Sequence, residues 1–171
     1  PYEENITLVK KVVEEAQKFG ASVEAELGIV GGNEGDGKAH NIMCTEPETA
    51  KDFCNKTGTN ALAVAIGNAH GHYKVQPKLR LDILKDIYNV CETPLVLHGG
   101  TGITPETFQE CIRNGIRKVN IATASFDAVS AAAKNISESN GNYFKLSQAM
   151  QDAVYENVKK HIKIFNMEKL K

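Results

Sequence analysis

No run of apolar residues in this 171-residue sequence approaches the roughly 18 needed to cross a bilayer, which excludes a membrane-spanning helix. An excess of charge of one sign is also missing. The 20 Lys and Arg against 21 Asp and Glu leave a net charge of -1, so nothing marks a nucleic-acid or membrane-surface partner. Cysteines are few, at positions 44, 54, 91 and 111, and they form no C-x-x-C and no zinc-finger spacing. Cys54, Cys91 and Cys111 fall on expected apolar helix faces, which reads as buried free thiols in a reducing, cytoplasmic compartment. Low-complexity tracts, shifts in composition and sequence repeats are absent, so residues 1–171 read as one domain. The opening Pro1-Tyr2-Glu3-Glu4 resembles no signal peptide, and without an initiating Met we expect further sequence upstream. At 42% hydrophobic and 24% charged, the composition excludes disordered, collagen-like and disulfide-scaffold classes.

What is present is an alternation of helical and extended periodicity, four times over. Residues 3–19 place Ile6, Val9, Val13 and Ala16 at helical spacing before Gly20. Residues 22–27 read as a strand, followed by a polar, glycine-rich loop over residues 28–44. A second helix is expected from Thr45, with Glu48 completing a capping box, to Gly58. Residues 61–66 form an uninterrupted apolar strand. Leu81, Leu84, Ile87 and Tyr88 then mark a third helix, and residues 94–97 a third strand. Thr104 as N-cap, with Pro105 at the first helical position, starts a helix that stops at Gly115. Residues 118–123 give the fourth strand. The rest is helical, notably residues 143–165, where Leu146, Met150, Ala153 and Val158 lie near one face.

Strands alternating with helices imply a parallel sheet, either an open doubly wound one or part of a (β/α)8 barrel. Four strand–helix units match half of a barrel, which typically needs about 250 residues. Period-two alternation puts Ser22, Glu24 and Glu26 on one face of the first strand and Val23, Ala25 and Leu27 on the other. Inward carboxylates are costly unless a cation or hydrogen bonds satisfy them, which suits a barrel whose interior serves a site. In the second strand Leu62, Val64 and Ile66 face outward and only alanines inward, leaving room for something.

Barrel active sites lie at the C-terminal ends of the strands, and three ends here carry unusual residues. His70 and His98 stand one strand–helix unit apart, each followed by glycine. Imidazole pairs of this kind suit zinc and similar divalent metals, although a strand-end histidine can equally be structural. Gly99-Gly100-Thr101-Gly102 leads into the helix capped at Thr104, and Asn120-Ile121-Ala122-Thr123 ends the adjacent strand. Glycine backbone N–H groups and helix N-termini suit an anion such as phosphate; the alternative is a tight turn without a ligand. Glu34 is an acid–base candidate or a solvated loop acid. His72 reads as a surface histidine, and His40 and His161 have no visible partner.

In order and spacing, these motifs resemble the class II ketose-bisphosphate aldolases. The stretches are residues 23–28 with Gly31-Gly32-Asn33-Glu34, then Gly67-Asn68-Ala69-His70-Gly71-His72-Tyr73, Leu97-His98-Gly99-Gly100-Thr101-Gly102 and residues 118–123. Glu3-Glu4-Asn5-Ile6 is similar to that family's helix after its fourth strand, so the resemblance covers nearly the whole chain. It implies a TIM barrel of which this chain supplies the C-terminal half, about strands 5–8. It further implies a glycolytic lyase that reversibly cleaves fructose or tagatose 1,6-bisphosphate into dihydroxyacetone phosphate and glyceraldehyde 3-phosphate. His70 and His98 would be two of three ligands of a catalytic zinc ion, and Glu26 a ligand of a second metal found in some members. Zinc would polarise the ketose carbonyl and stabilise the enediolate, with which Glu34 exchanges a proton. Gly71, Gly99, Gly100, Thr101, Asn120, Ile121, Ala122 and Thr123 would bind the phosphorylated ketose, largely around its phosphate. A monovalent cation is a further candidate cofactor, and the complete barrel would be a homo-oligomer, a dimer or tetramer. Glu24 has no matching role and reads as a satisfied structural carboxylate.

One departure matters. The family's first half carries a third histidine ligand beside an aspartate that protonates the aldehyde oxygen, and no His-x-Asp-His counterpart occurs here. These residues alone are therefore expected to be inactive. Two other readings stay open: a non-catalytic phosphosugar-binding half-barrel, and a zinc-free barrel isomerase or epimerase.

Overall fold

The chain opens with an amphipathic helix, α1 (Tyr2–Gln17), which buries Ile6 and Val13 while Glu3 and Glu4 sit at its positive end. The coordinates are a computed structural model that describes residues 1–33, 39–40, 43–73 and 77–166. After α1 come β1 (Glu24–Leu27), two short strands β2 (Gly31–Asn33) and β3 (Ala39–His40), and helix α2 (Pro47–Thr57). Then follow β4 (Ala61–Val64), the short β5 (Ala69–His70), α3 (Leu81–Val90) and β6 (Leu95–Leu97). The last elements are α4 (Pro105–Arg113), β7 (Ile116–Val119), α5 (Thr123–Glu138) and α6 (Tyr143–Phe165).

Four strands pair in parallel in the order β1-β4-β6-β7, so each successive strand of this sheet adds beside the last. That is the arrangement expected of half a barrel. The outward residues Leu62, Val64, Ile66, Leu95 and Leu97 are fully buried or nearly so, against Phe53 of α2, Leu84 and Ile87 of α3 and Phe108 of α4. Emptying any one of these positions (Leu→Ala, for example) costs about 2–5 kcal/mol in a packed core. On the inner side, Glu26 stands beside Ala63, Ala63 beside Val96, and Val96 beside Lys118. Ala63 and Val96 are themselves buried between those longer neighbours, so the room expected inside the alanines is largely taken up.

Three expectations need correction. Thr45 does not cap α2. Its buried hydroxyl donates to the Leu27 carbonyl at 2.5 Å and accepts from the Ala65 N–H at 2.9 Å, tying β1 to the chain just past β4. Glu46 takes the N-cap position without a side-chain bond, and Pro47 presets the first helical turn. The fourth main strand runs Ile116–Val119 rather than over residues 118–123, because Gly115, at φ 109°, turns the chain at once and Ile116 already pairs with Leu95. The segment read as loop over residues 28–44 contains β2 and β3, which pair antiparallel, with β5 parallel on the other side of β2. This small sheet sets β2 beside β5, just past the end of β4. Gly32 allows it, since a side chain there would collide with the His70 carbonyl oxygen.

Thr104 caps α4 as expected, its side chain accepting from the Thr107 N–H. Gly58, in the left-handed region at φ 68°, ends α2. All four cysteines are free; Cys54, Cys91 and Cys111 are buried and Cys44 is half-buried, with Cys91 just past the end of α3. Among the described residues no helix is long and apolar enough to cross a membrane.

Candidate active site

The C-terminal ends of β4 and β6 are clasped together by two polar side chains. Asn68 is fully buried. Its Oδ1 accepts from the Ile66 N–H at 2.8 Å while its Nδ2 donates to the His98 carbonyl at 3.0 Å. The Tyr73 hydroxyl accepts from the Ala69 N–H at 2.9 Å and donates to the Gly99 carbonyl at 3.0 Å. Burial pushes the Tyr73 phenol above its usual range, so it stays a donor. Gly99 makes the approach possible, since a Cβ there would collide with the Ala69 carbonyl oxygen. Neither Asn68 nor Tyr73 was among the expected site residues. The available signal was a lone amide directly after an apolar strand, where burial requires partners.

The clasps bring the two histidines side by side, with ring centres 5.7 Å apart and planes inclined by 46°. His98 lies between the two inward carboxylates of β1: Nδ1 is 2.9 Å from Glu26 and Nε2 is 3.0 Å from Glu24. Glu24 also pairs with Lys118 at 2.9 Å, and Lys118 donates to the Asn120 side chain at 2.6 Å. The hydrogen bond to Glu26 is the main cause raising the His98 pKa; burial opposes it and Glu24 adds to it. Burial pushes the Glu24 carboxyl up, but the bonds from His98 and Lys118 outweigh it and hold the group below its ordinary value. Glu24 is thus satisfied, as the strand alternation required.

Two neighbouring imidazoles, one of them held between two carboxylates, bring together nitrogen and oxygen donors of the kinds zinc accepts. Among the described residues no group of three or more His, Cys, Asp or Glu is placed to hold an ion. The two imidazoles are the kind of donors that could form part of a coordination shell, short of the three a closed group needs.

Beside the histidines opens a cleft of about 390 Å³. His70, Gly71, Gly99, Gly100 and Thr101 form one wall; Asn120, Ala122 and Thr123 form the other. The two walls are joined by the Gly100 N–H donating to the Asn120 carbonyl at 3.2 Å and by the Thr101 hydroxyl accepting from the Ala124 N–H at 3.0 Å. Thr123 begins α5, so the cleft meets a helix N-terminus, where backbone N–H groups and the helix dipole favour an anion. Of the expected substrate-binding residues only Ile121 turns elsewhere, packing against the hydrophobic core. His72 is exposed and lies 3.3 Å from Asp127. His161 pairs with the Asn157 carbonyl and packs edge-on against Phe108. Glu34 lies outside the described residues, as does the side chain of His40.

Comparison with known proteins gives the same direction. The family model described as fructose-bisphosphate aldolase class-II matches residues 1–169. A fructose-bisphosphate aldolase of Staphylococcus aureus is 40% identical over 168 residues, covering 96% of this chain and 59% of that protein. One of Staphylococcus epidermidis is 38% identical with the same coverage. Among solved structures, the YdjI aldolase from Escherichia coli K12 superposes with a TM-score of 0.85 at 35% identity, over 97% of this chain and 57% of its own. Fructose-bisphosphate aldolase from Campylobacter jejuni, at 20% identity, shares the fold with a TM-score of 0.72 over 96% of this chain and 57% of its own. The chain thus spans about three fifths of the length of the curated relatives it matches. It belongs to the class-II fructose-bisphosphate aldolase family, and its four parallel strands are half of that family's TIM barrel.

Proposed function

We propose that this chain is the C-terminal half of a metal-dependent ketose-bisphosphate aldolase, cleaving fructose or tagatose 1,6-bisphosphate to dihydroxyacetone phosphate and glyceraldehyde 3-phosphate. One observation carries the reading. Eight of the residues matched to the family's metal and substrate positions line a single cleft, with His98 immediately beside it. In this reading His70 and His98 hold a divalent ion, zinc by donor chemistry, and Glu26 is placed to serve a second metal position. A bound ion there polarises the ketose carbonyl.

The chain's own residues do the rest. Gly99, Gly100 and Thr101, with the α5 N-terminus at Thr123, seat the phosphate of the three-carbon ketone product. Gly71 and Asn120 border the same space. When the carbon–carbon bond breaks, its electron pair passes toward the ketose carbonyl. Glu34 then delivers a proton to the resulting carbanion, and in the aldol direction removes it. The acid that serves the aldehyde oxygen and a third imidazole are supplied from outside residues 1–171, with the remaining half of the barrel.

The test is complementation. Residues 1–171 are assayed with both bisphosphates in a coupled assay, alone and mixed with the first half of a family member's barrel, with and without a chelator. The expected result is no turnover alone and chelator-sensitive turnover when mixed. Turnover alone at the level of an intact aldolase, or a mixture that binds dihydroxyacetone phosphate but never cleaves, overturns the catalytic reading; the latter outcome leaves a phosphosugar-binding half-barrel.

A further inference from the structure

The site above uses none of the cysteines, yet two of them meet. The Sγ atoms of Cys54, in α2, and Cys91, just past α3, are 3.4 Å apart although 37 residues separate them in sequence. Cys91 precedes the N-terminal end of β6, so the pair lies at the opposite end of the strands from His98. Both residues are buried, yet both line a cleft that opens at the surface. The two residues keep 8% and 6% of their surface, against 0% for Cys111. That cleft, of about 300 Å³, is also lined by Lys51, Asn55, Glu92 and Thr93.

We propose that Cys54 and Cys91 form a hydroperoxide-responsive dithiol site, whose reversible disulfide fastens α2 to the start of β6. Bringing the sulfurs from their present contact to the about 2.05 Å of a disulfide is a movement of little more than an ångström. Cys91 is the attacking sulfur. The hydrogen bond it shares with Cys54 holds its pKa down, helped by the Thr93 N–H and opposed by burial, while the same bond pushes Cys54 up. The Cys91 thiolate attacks one oxygen of the hydroperoxide; the O–O bond breaks, the other oxygen takes a proton and leaves as water or an alcohol, and Cys91 becomes a sulfenic acid. Cys54 then attacks that sulfur and loses its proton, and the displaced hydroxide leaves as water. Two thiols and one hydroperoxide thus give one disulfide, one alcohol or water, and one further water.

The experiment treats the fully reduced intact protein with hydrogen peroxide, alkylates the remaining thiols and maps the peptides. The expected result is a cross-link between the peptides holding residues 54 and 91, with loss of two hydrogens in intact mass and full reversal by dithiothreitol. Cys111 stays alkylatable only after unfolding, and Cys91→Ser leaves Cys54 unoxidised at the same dose. Cys54 and Cys91 both remaining free while Cys44 oxidises would overturn the proposal, as would sulfinic acid at Cys91 without a cross-link. Should the variant fail to fold, the map of the unaltered protein decides between these outcomes by itself.

Discussion

His98 faces a carboxylate from each ring nitrogen, an arrangement that suits the doubly protonated imidazolium, which donates from both. An ion that binds His98 has to displace one of those protons and draw the ring away from the carboxylate bonded there. Glu24 is anchored by Lys118 as well, whereas no other ion pair to Glu26 is found among the described residues. Removing a partner one step outside a metal's ligands typically costs about 10–100-fold in affinity, so loss of a ligand itself should cost at least about tenfold. His70→Ala and His98→Ala in the complete barrel should each show this in competition with a chelator. Unchanged zinc stoichiometry in both would remove these residues from the metal site. Glu34→Gln should leave zinc and phosphate binding intact while slowing proton exchange at dihydroxyacetone phosphate by about 10²–10⁴-fold. A loss under about threefold would assign the proton transfer to another group.

The histidines owe their spacing to the way strand ends are joined. Asn68 has its amide engaged at both ends, and replacing it by Ala leaves the buried Ile66 N–H and the part-buried His98 carbonyl without that partner. Each such orphan costs about 1–3 kcal/mol. Asn68→Ala should therefore lower the thermal midpoint and weaken zinc binding together, because the bond it breaks holds the backbone that carries His98. A variant that melts early but binds zinc as before would confine Asn68 to stability. At the neighbouring clasp, Gly99→Ala should be worse than Tyr73→Phe: the first places a methyl group against the Ala69 carbonyl in a left-handed backbone, and the second removes one hydroxyl.

Four parallel strands leave two sheet edges, and among the described residues β1 pairs only with β4 and β7 only with β6. Unpaired edges seek partners, and Phe126, Tyr155 and Ile162 on α5 and α6 are well exposed besides. Residues 1–171 by themselves should therefore associate in a concentration-dependent way in analytical ultracentrifugation, and addition of the first barrel half should suppress it. A monodisperse monomer at all concentrations would show that this half closes its own edges.

The strand–helix alternation, the inward Glu24 and Glu26, the Thr104 cap and the paired histidines were legible in the residues, because periodicity and capping chemistry act over a few neighbouring positions. Long-range contacts were not. Thr45 looks like a cap beside Glu48 and becomes a bridge between β1 and the end of β4, because a buried hydroxyl with two backbone partners satisfies more than an exposed helix end does. The same holds for Asn68 and Tyr73, whose partners in His98 and Gly99 lie 30 and 26 residues away. It holds for the contact between Cys54 and Cys91 as well. The sequence by itself determined which residue types stand at the strand ends; only tertiary structure decided which of them touch, since hydrogen bonds and ion pairs act over a few ångströms of space and no spacing along the chain measures that distance.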